Sequence, residues 1–243
     1  MAEKHGPLDQ FLIKPLIPIK IGSLDLSFTN ASLMMVTTVA LIGLLMTVGM
    51  GRRGLVPGRL QSVAELSYEF VANTIRETVG GEGRKYFPLI FSLFMFILFG
   101  NMIGMIPSAF TFTSHIVVTF VMAGIVFVAV TILGFIKHGA HFFSFFLPSG
   151  VPIVLWPLII LIEIISYLSR PVSLAVRLFA NMLAGHALLK VLAGFVPALG
   201  IAGIAPLAVV FGLIGLEFLV AFVQAYVFTI LTCVYLNDAI HLH

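Results

Sequence analysis

The 243 residues are 60% hydrophobic and only 9% charged, with a mean hydropathy of +1.15. So few polar side chains cannot cover a water-soluble domain, and the chain reads as a polytopic membrane protein. The formal charge of +3 comes from a few Lys and Arg beside apolar runs, which speaks to orientation in a membrane and not to nucleic acid, and the single cysteine, Cys233, excludes an internal disulfide.

Residues 1–29 mix Pro7, Pro15 and Pro18 with Lys4, Lys14 and Lys20, and they lack the apolar core and cleavage site of a secretion signal. They are expected to form an ordered but irregular arm at one membrane face. Residues 30–50 can cross a hydrocarbon core of about 30 Å and stop at Arg52 and Arg53. Over 60–79, Gln61, Glu65, Glu69, Asn73 and Arg76 share one stripe while Leu60, Val63, Tyr68, Phe70, Val71 and Ile75 fill the rest, the pattern of an interfacial helix lying flat.

Residues 87–136 hold two more spans, 87–107 and 114–136, joined by a tight uncharged turn. Arg52, Arg53, Arg59, Arg76, Arg84 and Lys85 precede this pair and Lys137 follows it. The positive-inside rule therefore puts the 51–86 and 137–149 loops in the cytoplasm and the N-terminus outside, against a weaker vote from the three N-terminal lysines. His138 and His141 are read as solvated loop residues, and Asn101 either lines a cavity or ties helices together.

Two apolar stretches, 151–192 and 201–240, finish the chain. Each would be about 60 Å long as one helix, twice the hydrocarbon core, and neither contains a polar turn that would divide it. The expected fold is all-α within one membrane domain, 1–243. It has about five membrane-embedded helices, one interfacial amphipathic helix and a long tilted C-terminal hairpin over 151–240. The hairpin turns around Pro197 and Gly203 and bends at Pro171, which leaves the Tyr167 carbonyl without its helical donor.

Arg177 stands in the middle of the first of these stretches. A guanidinium keeps its proton, so at mid-membrane it needs a partner or a water-lined cavity. The functional reading is an ion path; the plain alternative is a structural salt bridge. At about 100° per residue, Ser173, Arg177, Ala180, Asn181 and Ala184 share a face of this helix. His186 comes nine residues after Arg177 and points about 180° away, while Glu163 comes fourteen residues before it, near the same face but about 20 Å along the axis. In the last helix Glu217, Ala221, Gln224 and Ala225 share a face. Glu217 and His186 form the natural titratable pair, a carboxylate and an imidazole that each need a polar partner in hydrocarbon. No phosphate-binding loop, metal-ligand cluster or nucleophile elbow occurs. The chain is therefore expected to need no cofactor and to perform no covalent catalysis by itself.

The stretches "PVSLAVRLFANMLAGH" and "LEFLVAFVQAYVFTILTCVYLNDA", with "GNMIGMIP" earlier, resemble subunit a of F-type ATP synthase over essentially the whole length. The resemblance implies that Arg177 faces a ring of c subunits and separates two offset aqueous half-channels. It also implies that Asn181, Glu163, Glu217, His186 and Gln224 line or shape the proton path. Many bacterial members carry an acid at the position of His186 and a histidine at that of Glu217; the exchange seen here is that of mitochondrial and related alphaproteobacterial members. The implied partners are the c-ring, b-type peripheral stalk subunits, the remaining ATP synthase subunits and the lipid bilayer. The implied place is the bacterial inner membrane, ahead of the mitochondrial one. The rival function, a secondary transporter or ion channel gated by an intramembrane arginine, predicts internal inverted repeats, and the sequence shows none.

Overall fold

Among the described residues six α-helices carry the fold: α1 (Asn30–Gly49), α2 (Arg59–Thr78), α3 (Phe87–Gly104), α4 (Ile116–His138), α5 (Trp156–Ala198) and α6 (Ile204–Ile240). The computed structural model describes residues 11–21, 24–25, 27–51, 58–106, 109–146 and 152–241. Lys4, Pro7, Arg52, Arg53 and Pro107 lie outside the described residues. All the helices except α2 belong to segments long and apolar enough to cross a membrane, five in all among the described residues.

The N-terminal arm is more regular than its prolines suggest. β1 (Pro15–Ile17) pairs antiparallel with β4 (Phe28–Thr29), and β2 (Lys20–Ile21) with β3 (Leu24–Asp25). Pro15 opens a strand and Pro18 falls between two, positions where a missing N–H costs little. The arm is fastened to α1: the Lys14 N–H donates to Asn30 Oδ1 at 3.1 Å, and Asn30 Nδ2 donates to the Leu12 carbonyl at 3.1 Å. Thr29 caps the helix by accepting the Ser32 N–H at 3.3 Å.

α2 buries Ala64, Val71, Thr74 and Ile75. Its Phe70 ring reaches α3 and α6, with centroids 5.4 Å from Phe94, 5.7 Å from Phe222 and 5.3 Å from Tyr226. Leu60, Val63 and Leu66 stay exposed, an apolar outer face suited to lipid. The main core joins Ile90, Phe94 and Ile97 of α3, Val126 of α4, Leu178 and Met182 of α5, and Phe228 of α6. Ala221 and Ala225, fully buried, let the α6 backbone come close to its neighbours.

α5 has 43 residues and α6 has 37, so they are about 64 Å and 56 Å long at 1.5 Å per residue. Pro171 and Pro197 both lie inside α5, which runs past residue 192 to Ala198. The turn is a 3-10 segment, Gly200–Gly203, opened by Gly200 at φ +55°, a conformation that ends helices and favours glycine. The two helices are antiparallel. His186 of α5 meets Glu217 of α6, and Arg170 meets Asp238, so falling numbers on one helix match rising numbers on the other.

Beyond His186 and Glu217 the hairpin continues to its tip with apolar residues exposed, among them Leu188, Phe195, Ile204 and Phe211. The other end of the hairpin is tied down. His138 Nε2 of α4 lies 3.2 Å from the carbonyls of both Ala239 and Ile240, next to the Lys137–Glu82 pair that joins α4 to the segment before α3. His138 is therefore not the solvated residue expected from sequence: the last carbonyls of α6 have no intrahelical donor, and this imidazole supplies one.

Candidate functional site

His186 sits on the buried face of α5 with Tyr167, Pro171, Leu174, Ala175, Leu178 and Met182. Its Nδ1 is 2.9 Å from the Met182 carbonyl, one helical turn back, and 2.5 Å from Oε1 of Glu217 on α6. Its Nε2 is 2.9 Å from the Gly104 carbonyl at the end of α3 and 3.1 Å from Thr111 Oγ1 in the connection to α4. The Thr111 hydroxyl itself donates to the Gly104 carbonyl at 3.1 Å. The imidazole thus presents one nitrogen to Glu217 and the other to the α3–α4 connection, with an acceptor waiting on each side.

Glu217 is 5% exposed, and neither of its oxygens has an aligned hydrogen-bond donor among the described residues. The contact with His186 is therefore a close approach of charge, while the aligned Nδ1 bond goes to Met182. A carboxylate placed so deeply with so little hydrogen bonding is costly unless it is paired or exchanges a proton. Gly185 makes the approach feasible, since a Cβ there would stand 2.7 Å from Oε1. The N-terminal arm also arrives here, with the Phe11 ring edge-on to His186 at 6.5 Å. His115, which precedes α4, stacks on Phe110 at 5.0 Å, and burial holds its pKa below the ordinary histidine value.

Gln224 lies two turns along α6 on the same buried face as Glu217. Between them, Asn101 Nδ2 donates to the Ala221 carbonyl at 3.2 Å, while Asn101 Oδ1 has no partner among the described residues. Asn101 thus ties α3 to α6.

Arg177 is on the opposite side of α5. It is exposed, as are Ser173, Ala180 and Ala184, with Asn181 half-buried one turn on. Among the described residues Arg177 shares no ion pair, and it lies within electrostatic reach of Tyr235. Along the axis it is about 13 Å from the level of His186 and about 10 Å from that of Arg170. Glu163, half-buried, is about 35 Å along α5 from His186 and does not join its cluster. The predicted site residues therefore form three stations: Glu217 with His186 and Gln224 inside the bundle, Arg177 with Asn181 on the outer face, and Glu163 toward the far end.

Sequence reasoning missed Thr111, the Gly104 carbonyl and the space at Gly185. It also missed the Arg170–Asp238 pair, in which Nη1 donates to Oδ2 at 2.8 Å while the guanidinium lies 5.4 Å from the Tyr167 ring centroid and 5.1 Å from that of Tyr235. Opposite charges within two apolar runs, Arg170 near the middle of one and Asp238 near the end of the other, were the available signal.

The family model described as the ATP synthase A chain matches residues 32–237. The chain is 59% identical to ATP synthase subunit a of Rhodospirillum rubrum over 240 residues, which is 98% of this chain and all of that protein. It is 60% identical to the subunit a of Parvibaculum lavamentivorans, over 97% of this chain and 93% of that protein, and 58% identical to that of Pelagibacter ubique, over 98% of each. A family match over residues 32–237, together with relatives 58–60% identical over nearly the whole chain, makes the chain a member of the ATP synthase subunit a family.

Proposed function

We propose that this chain is the proton-conducting stator subunit of an ATP synthase membrane sector, working in a bacterial inner membrane. It assembles there with a c-ring, b-type stalk subunits and the remaining ATP synthase subunits. The observation that carries the reading is the buried Glu217–His186 contact across the hairpin, with Arg177 exposed on the other side of the same helix and sharing no ion pair among the described residues.

The chemistry follows from the stations. A proton reaching Thr111 and the Gly104 carbonyl meets Nε2 of His186; release from Nδ1 delivers it to Glu217, and Gln224 and Asn181 continue the polar line toward the outer face. There it neutralises a carboxylate of the ring, which can then turn away into lipid. A carboxylate that has completed the turn arrives beside Arg177, whose fixed charge favours its ionised form, and the proton leaves by a second half-channel on the side of Glu163. One charge crossing 100 mV yields about 2.3 kcal/mol, so several protons must be summed for each ATP made on other chains. The exposed apolar hairpin, about twice as long as the hydrocarbon core is thick, suits a tilted course against a curved rotor better than a course through lipid alone.

The test is the pair itself. Glu217→Leu and His186→Leu should each strongly reduce ATP-driven proton pumping in inverted vesicles, while the exchange His186→Glu with Glu217→His should restore part of it. Full pumping by Glu217→Leu would remove the pair from the path.

A further inference from the structure

Where α2 ends and α3 begins, the chain encloses a cleft of about 560 Å3 that plays no part in the path described above. Arg76, Arg84 and Asn73 are among its lining residues, and Tyr68, Phe87 and Pro88 provide an aromatic and apolar ledge, the Tyr68 and Phe87 rings lying 4.5 Å apart. The turn that opens it contains Gly80 at φ +78°. Both arginines are exposed, and among the described residues neither shares an ion pair. Of the nearby carboxylates, Glu82 is held by Lys137, and Glu77 follows Arg76 by one residue and so points about 100° away around the helix; Glu69 shares the stripe of Arg76 but lies two turns, about 10 Å, back along α2 and does not line the cleft.

Two guanidinium groups that never lose their charge, joined by an amide, match the oxygens of a phosphate. The ledge beside them matches hydrocarbon, and the cleft opens at the start of a membrane-spanning helix, on the side that also gathers Lys85 and Lys137. A soluble anion would use the charges and leave the ledge bare. We propose that this cleft holds one anionic glycerophospholipid, its phosphate bound by Arg76, Arg84 and Asn73 and its acyl chains laid along Tyr68, Phe87 and Pro88. A zwitterionic lipid fits less well, because its ammonium is brought against the second guanidinium. The lipid bridges α2 to α3 and fixes the interfacial helix against the bundle. This assignment does not depend on proton conduction.

The test uses the intact ATP synthase complex in phosphatidylcholine nanodiscs doped with photoactivatable phosphatidylglycerol, and peptide mass spectrometry locates the label. Labelling is expected within residues 68–88, well above that from photoactivatable phosphatidylcholine, and unaffected by excess inorganic phosphate. It should fall by roughly tenfold or more in the Arg76→Gln/Arg84→Gln complex and stay unchanged in Arg59→Gln. Equal labelling by the two lipids would overturn the proposal, as would displacement by inorganic phosphate, or label on a partner chain with 68–88 bare. The comparison of lipids on the unaltered complex decides the matter even if the double variant fails to assemble.

Discussion

A methyl group on Gly185 would stand 2.7 Å from Oε1 of Glu217 and 3.1 Å from its Cδ, so the carboxylate reaches His186 through space that only a glycine leaves open. Gly185→Ala forces the carboxylate to move or the helices to part. Overpacking of this kind costs about 1–3 kcal/mol. The complex should still assemble, but ATP synthesis driven by a proton gradient should fall by about tenfold, as expected if a comparable free energy is added to the limiting transfer. Synthesis at the unaltered rate in Gly185→Ala vesicles would show that the close approach is dispensable.

Arg170 and Asp238 pin the far end of the same hairpin. Their side chains are only 19% and 24% exposed, and the guanidinium also lies against two aromatic rings. Removing one charge strands the other in a poorly hydrated place. Asp238→Asn should therefore lower stability by about 1–3 kcal/mol, the range for losing a hydrogen bond to a charged group. Arg170→Lys should rescue little, since an ammonium lacks the planar fork and stacks less well on Tyr167 and Tyr235. Thermal unfolding of the purified complex, with the double variant Arg170→Gln/Asp238→Asn closing the cycle, measures the coupling. Strict additivity would mean that the pair contributes no coupling.

Much of this architecture is readable before any coordinates. About forty apolar residues without a polar turn admit one economical solution, and α5 and α6 adopt it. The nearness of His186 and Glu217 is likewise legible, because each needs a polar partner away from water. What stays hidden is contributed by backbone and shape. The Gly104 carbonyl leaves no mark in a sequence, and Thr111 is one of several hydroxyl residues in its stretch. The strand pairs of the arm are two or three residues long, too short for an alternating pattern to register. His138 looks like a loop histidine until α6 is seen to end beside it.

Orientation is open to a chemical test. The N-terminal arm should face the outside, and the 51–86 region the cytoplasm. Cysteines introduced at the exposed positions Lys20 and Glu77, in a Cys233→Ala background, should react with membrane-impermeant thiol reagents applied from opposite sides. Labelling of both from one side contradicts the topology.

Arg177 is a permanent charge on the exposed face of α5, with the Glu217–His186 pair on one side along the helix axis and Glu163 on the other. As the proposed gate it would have two effects: it would favour the ionised form of an arriving ring carboxylate, and it would repel a proton attempting to cross directly between half-channels. Lysine is a poor substitute, because its ammonium can shed its proton when buried. The most direct measurement is passive proton flux and ATP synthesis, side by side, in vesicles reconstituted with the unaltered complex, Arg177→Ala and Arg177→Lys. The account predicts that both variants lose coupled synthesis and that Arg177→Ala conducts protons passively without turning the ring. Coupled synthesis by Arg177→Ala at the unaltered rate would contradict it.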